Sequence, residues 1–531
     1  MSSAPMSRRT RTVLIVSVLA VVAAVGSFVS FKVLNREPEA PQPSAREFLA
    51  RSGDQFVLDG QPFFTAGSNN YRPMRIAPVL VDEIMRVAAE NNLGIMRVWG
   101  FNDVGNADGT NAVDTSNASA YFHYWDGDSP AYNDSETGLQ KLDYVIASAK
   151  QHGIRLVIPF VNNWASFGGM DQYVRWAEGD FHSDFYTDPT IKGWYRDWVA
   201  HLLERTNVYT GVRYKDEPTI AFWELANEAR CGGGGQYPPS PGCTTETITA
   251  WAQEMAAYVK SIDRLHLLGF GDEGFFCDPS SPQAAADQPG GWTYDCSQGV
   301  DAEAIARIDE IDMVGLHVYP DHWGTTAGWA TDYITRHAQL ADEVGKPLFI
   351  GEYGWRGDAP RNAVFHQWLT AFRAGGGDIA LYWQMQPRSP ATTPQDTDGF
   401  TAYCPSAVCT QVSYWSQAMQ SGRTDFPPVA DDDFVVVDAG ETATLDLLAS
   451  DVSLFSTLDA ATVDLDPATS GVQQSLTLPS GSVSVAAGTL TYTPSAGYSG
   501  RVEFSYTVSD VTGRSSDVAT VVIRVLEPAD A

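Results

Sequence analysis

The sequence predicts an α/β chain: a closed barrel of eight strand–helix units, followed by an all-β sandwich of immunoglobulin-like type. Short apolar runs separated by helix-period stretches recur eight times between residues 46 and 423, as expected of parallel strands covered by their connecting helices. Beyond Ser421 the period falls toward two, with Thr, Val, Asp and Gly alternating in runs such as VEFSYTVSD and ATVVIRVL. The 531 residues are too many for one ordinary domain but suit a large barrel plus a small module.

Residues 1–35 predict a signal peptide or an N-terminal membrane anchor. Arg8, Arg9 and Arg11 precede an apolar run from Val13 to Phe31, and Lys32 and Arg36 mark its far edge. The run is about long enough to span a bilayer and no clear A-x-A site follows it, which favours a retained anchor with its N-terminus inside. Residues 36–45, rich in Pro and Glu, predict a linker.

The barrel is assigned to residues 46–423. Its candidate strands are Phe63–Gly67, Ile95–Trp99, Arg155–Phe160, Ile220–Glu224, His266–Gly269, Met313–His317, Leu348–Gly351 and Asp378–Trp383. Two helical stripes stand out: Leu139, Leu142, Val145, Ile146 and Ala149, ended by Gly153, and Ile248, Trp251, Met255, Tyr258, Val259 and Ile262. The polar insertions Phe101–Asp126 and Asp278–Gly299 are either loops around a cleft or disulfide-pinned surface loops. Residues 424–433 predict a second linker, and 434–527 the sandwich. Asp431, Asp432 and Asp433 are read as a solvated charge run, with calcium binding as the alternative. The sandwich resembles bacterial immunoglobulin-like or cadherin-like modules through Tyr492-Thr493-Pro494, Gly497-Tyr498-Ser499-Gly500 and Phe504 to Asp510, which implies a spacer or stalk.

A formal charge of −31 argues against nucleic acid or any anionic polymer as a partner; a neutral ligand meets no such repulsion. The 15 Trp and 22 Tyr serve mainly as core, but aromatic faces also stack on sugar rings. Six Cys lie between Cys231 and Cys409 with neither CxxC spacing nor a Cys/His cluster, which points to disulfides rather than metal and so to an oxidising compartment. Six Cys allow 15 connectivities, of which pairing of sequence neighbours, Cys231–Cys243, Cys277–Cys296 and Cys404–Cys409, is one. The expected location is extracellular, either secreted or anchored at the outer face of the cytoplasmic membrane, and the expected state is a monomer.

The stretch AFWELANEARC, 221–231, places Glu228 just beyond a buried strand, and LFIGEYGW places Glu352 at the end of another. Carboxylates at two strand ends of one barrel lie on the same face, and such a pair is the minimum apparatus for cleaving a glycosidic bond. Glu228 is read as the acid/base and Glu352 as the nucleophile. Glu224 is read as the partner of a cationic wall residue. Asn227 offers an amide to a substrate hydroxyl or caps the next turn. Arg97 can hold a carboxylate ionised, and a buried salt bridge is the plainer role. His317 and Tyr319, two apart on an extended strand end, share a side; Tyr319 can donate to the nucleophile and His317 can position Glu228 or bind substrate. Trp383 is a candidate floor for a sugar ring. Trp99, Trp164, Trp323 and Trp355 are further candidates for the cleft wall.

Residues Phe63 to Gln384 resemble glycoside hydrolase family five, and most closely its subfamily seven of endo-β-1,4-mannanases. The likeness runs through Gly67-Ser68-Asn69-Asn70-Tyr71, Arg97-Val98-Trp99, Val161-Asn162-Asn163-Trp164, Phe185-Tyr186-Thr187-Asp188-Pro189, Trp223 to Glu228, His317-Val318-Tyr319-Pro320 and Gly351-Glu352-Tyr353-Gly354. It implies Glu228 as acid/base and Glu352 as nucleophile in a retaining reaction, with no cofactor and no catalytic metal. It places Arg97, Asn227, His317, Tyr319 and Trp383 around them, and Asn163 and Trp164 fall in one of its segments. β-Mannan polysaccharides are the implied substrate. Departures are Ala229, where relatives often carry Pro, the approach Leu381-Tyr382 to Trp383, and the insertion CGGGGQYPPSPGC from Cys231 to Cys243. The alternatives are a β-1,4-glucanase or transglycosylase using the same carboxylates, and a non-catalytic carbohydrate-binding or adhesion protein.

Overall fold

The computed structural model describes residues 43–115, 119–233, 235–357, 360–388, 396 and 398–527. Eight parallel strands form the barrel: β1 (Thr65–Asn69), β2 (Ile95–Arg97), β3 (Arg155–Pro159), β4 (Ile220–Glu224), β5 (Leu267–Gly269), β6 (Val314–Val318), β7 (Leu348–Tyr353) and β8 (Ile379–Tyr382). They run around the ring in the order β5-β4-β3-β2-β1-β8-β7-β6. At the remaining seam, Asp312 N–H donates to Leu268 O at 2.8 Å. The first strand starts two residues later than the sequence predicts. Phe63 N–H pairs back to Phe56 O, so Phe63 belongs to an N-terminal hairpin that lays buried Phe56 against Phe222 and plugs the bottom of the barrel.

Helices follow the strands: α1 (Pro78–Glu90), α2 (Gln140–His152), α3 (Pro189–Glu204), α4 (Thr245–Ile262), the single-turn α5 (Ala302–Ala306), α6 (Ala327–Val344), α7 (Arg361–Ala374) and α8 (Ala407–Ser421). Both predicted stripes are turned inward, with Tyr258 and Ile262 of the second only partly buried. Leu142, Val145, Ile146 and Ala149 of α2 are fully buried, and Gly153 ends the helix at φ 72°, the left-handed geometry that suits a residue without Cβ. In α4, Ile248, Met255 and Val259 are buried, each worth about 1.5–3 kcal/mol relative to exposure. α3 begins at Pro189, whose missing N–H costs nothing there, and Asp188 caps the N–H groups of Thr190 and Ile191.

The three disulfides are those expected, Cys231–Cys243, Cys277–Cys296 and Cys404–Cys409. The insertion after β2 is partly folded, as a small sheet of Asp103–Asn106, His123–Trp125 and Pro130–Tyr132.

The C-terminal module packs two four-stranded sheets. One runs β9 (Asp433–Val437), β16 (Ala519–Val525), β15 (Gly500–Asp510), β11 (Leu458–Asp464); the other β10 (Ala443–Asp446), β14 (Thr489–Pro494), β13 (Gly481–Ala486), β12 (Ser475–Leu478). Strict alternation of buried and exposed residues along β13 is the sequence period made physical. The predicted linker 424–433 has little regular secondary structure, but from Phe426 onward much of it is packed. Val429 is fully buried and bridged to Val452, Phe426 stacks on Tyr414 of α8, and Asn362 of α7 donates to Asp431. The acidic run is only partly solvated: Asp432 is exposed and accepts from Thr520 N–H, whereas Asp431 and Asp433 are half-buried and Asp433 begins β9. Among the described residues no helix is long and apolar enough to cross a membrane; the expected anchor or signal in residues 1–35 lies outside them.

Candidate active site

Because the strands are parallel, their carboxyl ends share one face, and a cleft of about 850 Å³ opens there. Arg97, the last residue of β2, lies fully buried beneath its floor. Its Nε donates to Glu224 (2.7 Å), Nη1 to Glu352 (2.6 Å) and Nη2 to Asn227 (2.8 Å). One planar guanidinium thus fixes the strand-end carboxylate of β4, that of β7, and the amide beside Glu228. Arg97 is absent from the cleft lining, so the structure gives it the carboxylate-holding role and not contact with substrate. Glu224 is its ion-pair partner.

Glu352 sits within β7 and accepts from Arg97 on Oε1 and from the Tyr319 hydroxyl on Oε2 (2.6 Å). Glu228 accepts from His317 Nδ1 on Oε1 (2.8 Å) and from the Trp164 indole N–H on Oε2. His317 is buried behind Glu228 rather than in the cleft wall, so of its two expected roles the geometry favours positioning. Glu228 has φ 58°, a left-handed conformation that costs a residue with a Cβ of order 1–3 kcal/mol. The surrounding chain enforces it: Asn227 N–H donates to Val161 O and Glu228 N–H to Gly271 O, each at 2.7 Å, so β3 and the β5 loop grip the turn on both sides.

One carboxylate oxygen of Glu228, one of Glu352 and a ring nitrogen of His317 all lie within 4.8 Å of one another. Burial pushes Glu352 up, helped by the charge of Glu228 and opposed by His317, Arg97 and the Tyr319 hydroxyl. Burial also acts on Glu228, but the hydrogen bond and charge of His317, with Trp164 and Arg230, overcome it and hold the carboxyl down at about 2. The same partnership raises His317 against its burial. Tyr319 is pushed well above its ordinary value by burial and by the two carboxylates, so it stays protonated as a donor.

Aromatic rings form the walls. Trp99, Trp164, Trp323 and Trp383 all line the cleft, as does Tyr319. Trp383 lies nearly parallel to Tyr71 (6.0 Å, 13°) and its indole N–H donates to Asp398 (3.1 Å). Asn163 is a correction. It is fully buried and faces away from the cleft, with Oδ1 accepting from Arg230 N–H and facing His182 Nε2, while Nδ2 donates to Gly232 O. Its neighbour Asn162 lines the cleft instead, because successive residues of an extended segment point to opposite sides. Trp355 also lies off the cleft, with its ring against Trp368.

Several cleft residues escape the sequence reading. Arg230 pairs with Glu273 and lies over Trp164, Phe275 and Trp292. Burial pushes Glu273 up to about 7, with Arg230 opposing. Glu273 follows β5 by four residues, so the strand-end rule that found Glu228 and Glu352 also applied to it. For Asp396 and Asp398 no sequence signal exists.

The chain matches the family described as "GH family 5 beta-mannosidase-like" over residues 46–374 and the family described as "Bacterial Ig domain" over 425–524. A probable mannan endo-1,4-beta-mannosidase A of Aspergillus flavus is 36% identical over 368 residues, spanning 68% of this chain and 86% of the relative. A putative mannan endo-1,4-beta-mannosidase 5 of Oryza sativa is 36% identical over 403 residues, spanning 70% and 76%. Among solved structures, the endo-1,4-beta-mannanase of Rhizomucor miehei matches with a TM-score of 0.62 at 33% identity, covering 70% of this chain and 99% of that one. The endo-beta-1,4-mannanase of Thermotoga petrophila matches with a TM-score of 0.64 at 27% identity, covering 88% and 99%.

Proposed function

The chain belongs to glycoside hydrolase family 5, and from that premise we propose that it is an exported, retaining endo-β-1,4-mannanase acting on mannan, glucomannan or galactomannan. The observation that carries the mechanism is the spacing of Glu228 and Glu352. Oxygens of the two carboxylates within 4.8 Å of each other support the short spacing of a retaining pair, about 5–5.5 Å between carboxyl groups, over the about 6.5–9.5 Å of an inverting one.

In the first step Glu352, held as an anion by Arg97 and Tyr319, attacks the anomeric carbon through a carboxylate oxygen. The bond to the leaving oxygen breaks as Glu228 delivers a proton to it, giving a glycosyl ester and a free chain end. Glu228 acts in this step as the protonated acid; the site at rest favours its anion, so the proton is taken up before the step, with His317 Nδ1 at 2.8 Å holding the carboxyl in place. In the second step Glu228 takes a proton from water, the hydroxide oxygen bonds to the anomeric carbon, and Glu352 leaves as carboxylate. Two inversions retain the configuration. Trp383 supplies the floor for the sugar ring, and Trp99, Trp164 and Trp323 the walls.

Mannan as substrate rests on the named activities of the relatives, and export on three disulfides, which persist in oxidising compartments. Either membrane anchoring or release at the outer face is compatible with residues 1–35. The deciding experiment is product analysis on linear mannan, galactomannan, glucomannan and cellulose. Internal cleavage of the mannans with the β-anomer formed first is expected. Cleavage of cellulose without mannan would replace this reading by a glucanase, and undiminished turnover by a Glu352→Ala variant would overturn the mechanism.

A further inference from the structure

On the flank of the barrel a groove of about 330 Å³ runs between α6 and the loop closed by Cys277–Cys296. Its floor is aromatic. Half-buried Tyr294 lies parallel to Phe276 (5.4 Å, 13°), and half-buried Trp329 parallel to Tyr333 (4.8 Å, 18°), so each ring that lines the groove is backed by a second ring. Its rim is polar. Asp332, Thr335, Arg336 and Gln339 share one face of α6 by their spacing, and Asp278, Ser281 and Gln283 line the loop side.

This composition selects its ligand class. Arg336 is committed to Glu303 and Glu343 and to the face of Phe276, while Asp278 and Asp332 face the same space, so an anion is disfavoured. Backed aromatic faces beside carboxylates and amides match a neutral ring that is apolar on its faces and hydroxylated at its edges.

Only one wall separates the groove from the cleft. Phe276 N–H donates to Thr293 O and Asp278 N–H to Tyr294 O, which keeps this segment extended and turns neighbouring side chains to opposite sides. Phe275 packs on Trp292 and Trp323, both rings of the cleft, whereas Phe276 lines the groove. Trp323 in turn meets Trp329 at 5.9 Å.

We propose that this groove is a second, non-catalytic binding site for the neutral β-1,4-linked hexose polymer that the cleft cleaves, an inference that rests on the mannanase reading. Holding one stretch of polymer against the flank raises the concentration of chain at the adjacent cleft. The test uses the full chain with Trp329→Ala and, separately, the double variant Asp332→Ala with Gln339→Ala, whose side chains are exposed and leave the aromatic wall intact. Binding is read by depletion onto insoluble mannan in a Glu352→Gln background. Rates are read with active enzyme on insoluble mannan and on mannotetraose.

Both variants are expected to bind insoluble mannan about 5-fold more weakly or worse and to degrade it more slowly, with kcat/KM on mannotetraose within about 2-fold of the parent. Unchanged mannan binding in both variants would overturn the proposal, as would an equal loss on mannotetraose, which would mean the effect passes through the cleft. If the parent enzyme cleaves no mannan, the mannanase reading falls, and the same depletion on the polymer it does cleave decides the groove separately.

Discussion

Replacing Tyr319 by Phe removes one atom from the cleft and leaves the ring in place against Phe400, 5.1 Å away. The lost hydroxyl is the donor to Glu352 Oε2 at 2.6 Å, a hydrogen bond to a charged acceptor worth about 1.5–3 kcal/mol. In the proposed mechanism that energy acts on the anionic nucleophile and on its departure from the glycosyl ester, so kcat/KM on linear mannan should fall roughly 10- to 150-fold. The pH profile should move as well. Glu352 reacts as an anion, burial already pushes it up, and Tyr319 is among the groups pulling it down. Without that donor the carboxyl rises further, so activity is lost at a higher pH on acidification and the acidic limb of kcat/KM shifts upward. Initial rates of reducing-end release across the acid range measure both effects, and a thermal melt close to that of the parent shows that packing is intact. A rate within about twofold of the parent and an unmoved acidic limb would refute the reasoning, since either the hydrogen bond or its action on Glu352 would then be absent.

Arg97→Met keeps the bulk of the side chain but leaves buried Glu224 and Glu352 without their shared cation, and the variant should lose about 3–5 kcal/mol of stability by denaturant titration. A stable variant would mean that the two carboxyls take up protons in place of the guanidinium. In the sandwich, burial, with the charge of Asp451 adding, pushes Asp433 up from its ordinary 3.8 to about 8. The folded state then binds the Asp433 proton more tightly than the unfolded chain, so this contribution is full at low pH and is lost as pH rises through that interval. Asp433→Asn should flatten the fall of Tm between those limits, read by scanning calorimetry, and an unchanged slope would remove Asp433 as its source.

The legible part of the site follows from a simple geometric rule. Parallel strands bring their carboxyl ends to one face, so Glu228, Glu352, Arg97, Tyr319 and Trp383 could be grouped before any distance was known. Asn163 shows the limit of that rule, since one residue of register decides which of two adjacent asparagines faces the cleft, and that register is set by the pairing of Asn162 with Asn227 across the strand ends. The linker 424–433 shows another limit. Its Asp and Pro content matches solvated chain, and only the contacts of Val429, Phe426 and Asp431 with partners distant in sequence fold it.

By itself the sequence determined the barrel and the sandwich, through periods of 3.6 and 2 that reflect which side chains each element must bury. It also offered the three disulfides, as pairings of near neighbours along the chain, and singled out the two carboxylates. Only the tertiary structure decided how those carboxylates are partnered, Glu352 with Arg97 and Tyr319, Glu228 with His317 and Trp164. It alone brought Asp398 to Trp383 and set the groove on α6 back to back with the cleft. The physical reason is range. Periodicity and local pairing act over a few residues, whereas a hydrogen bond such as that between Arg97 and Glu352 joins positions 255 apart in sequence, and closure of the barrel is what brings them together.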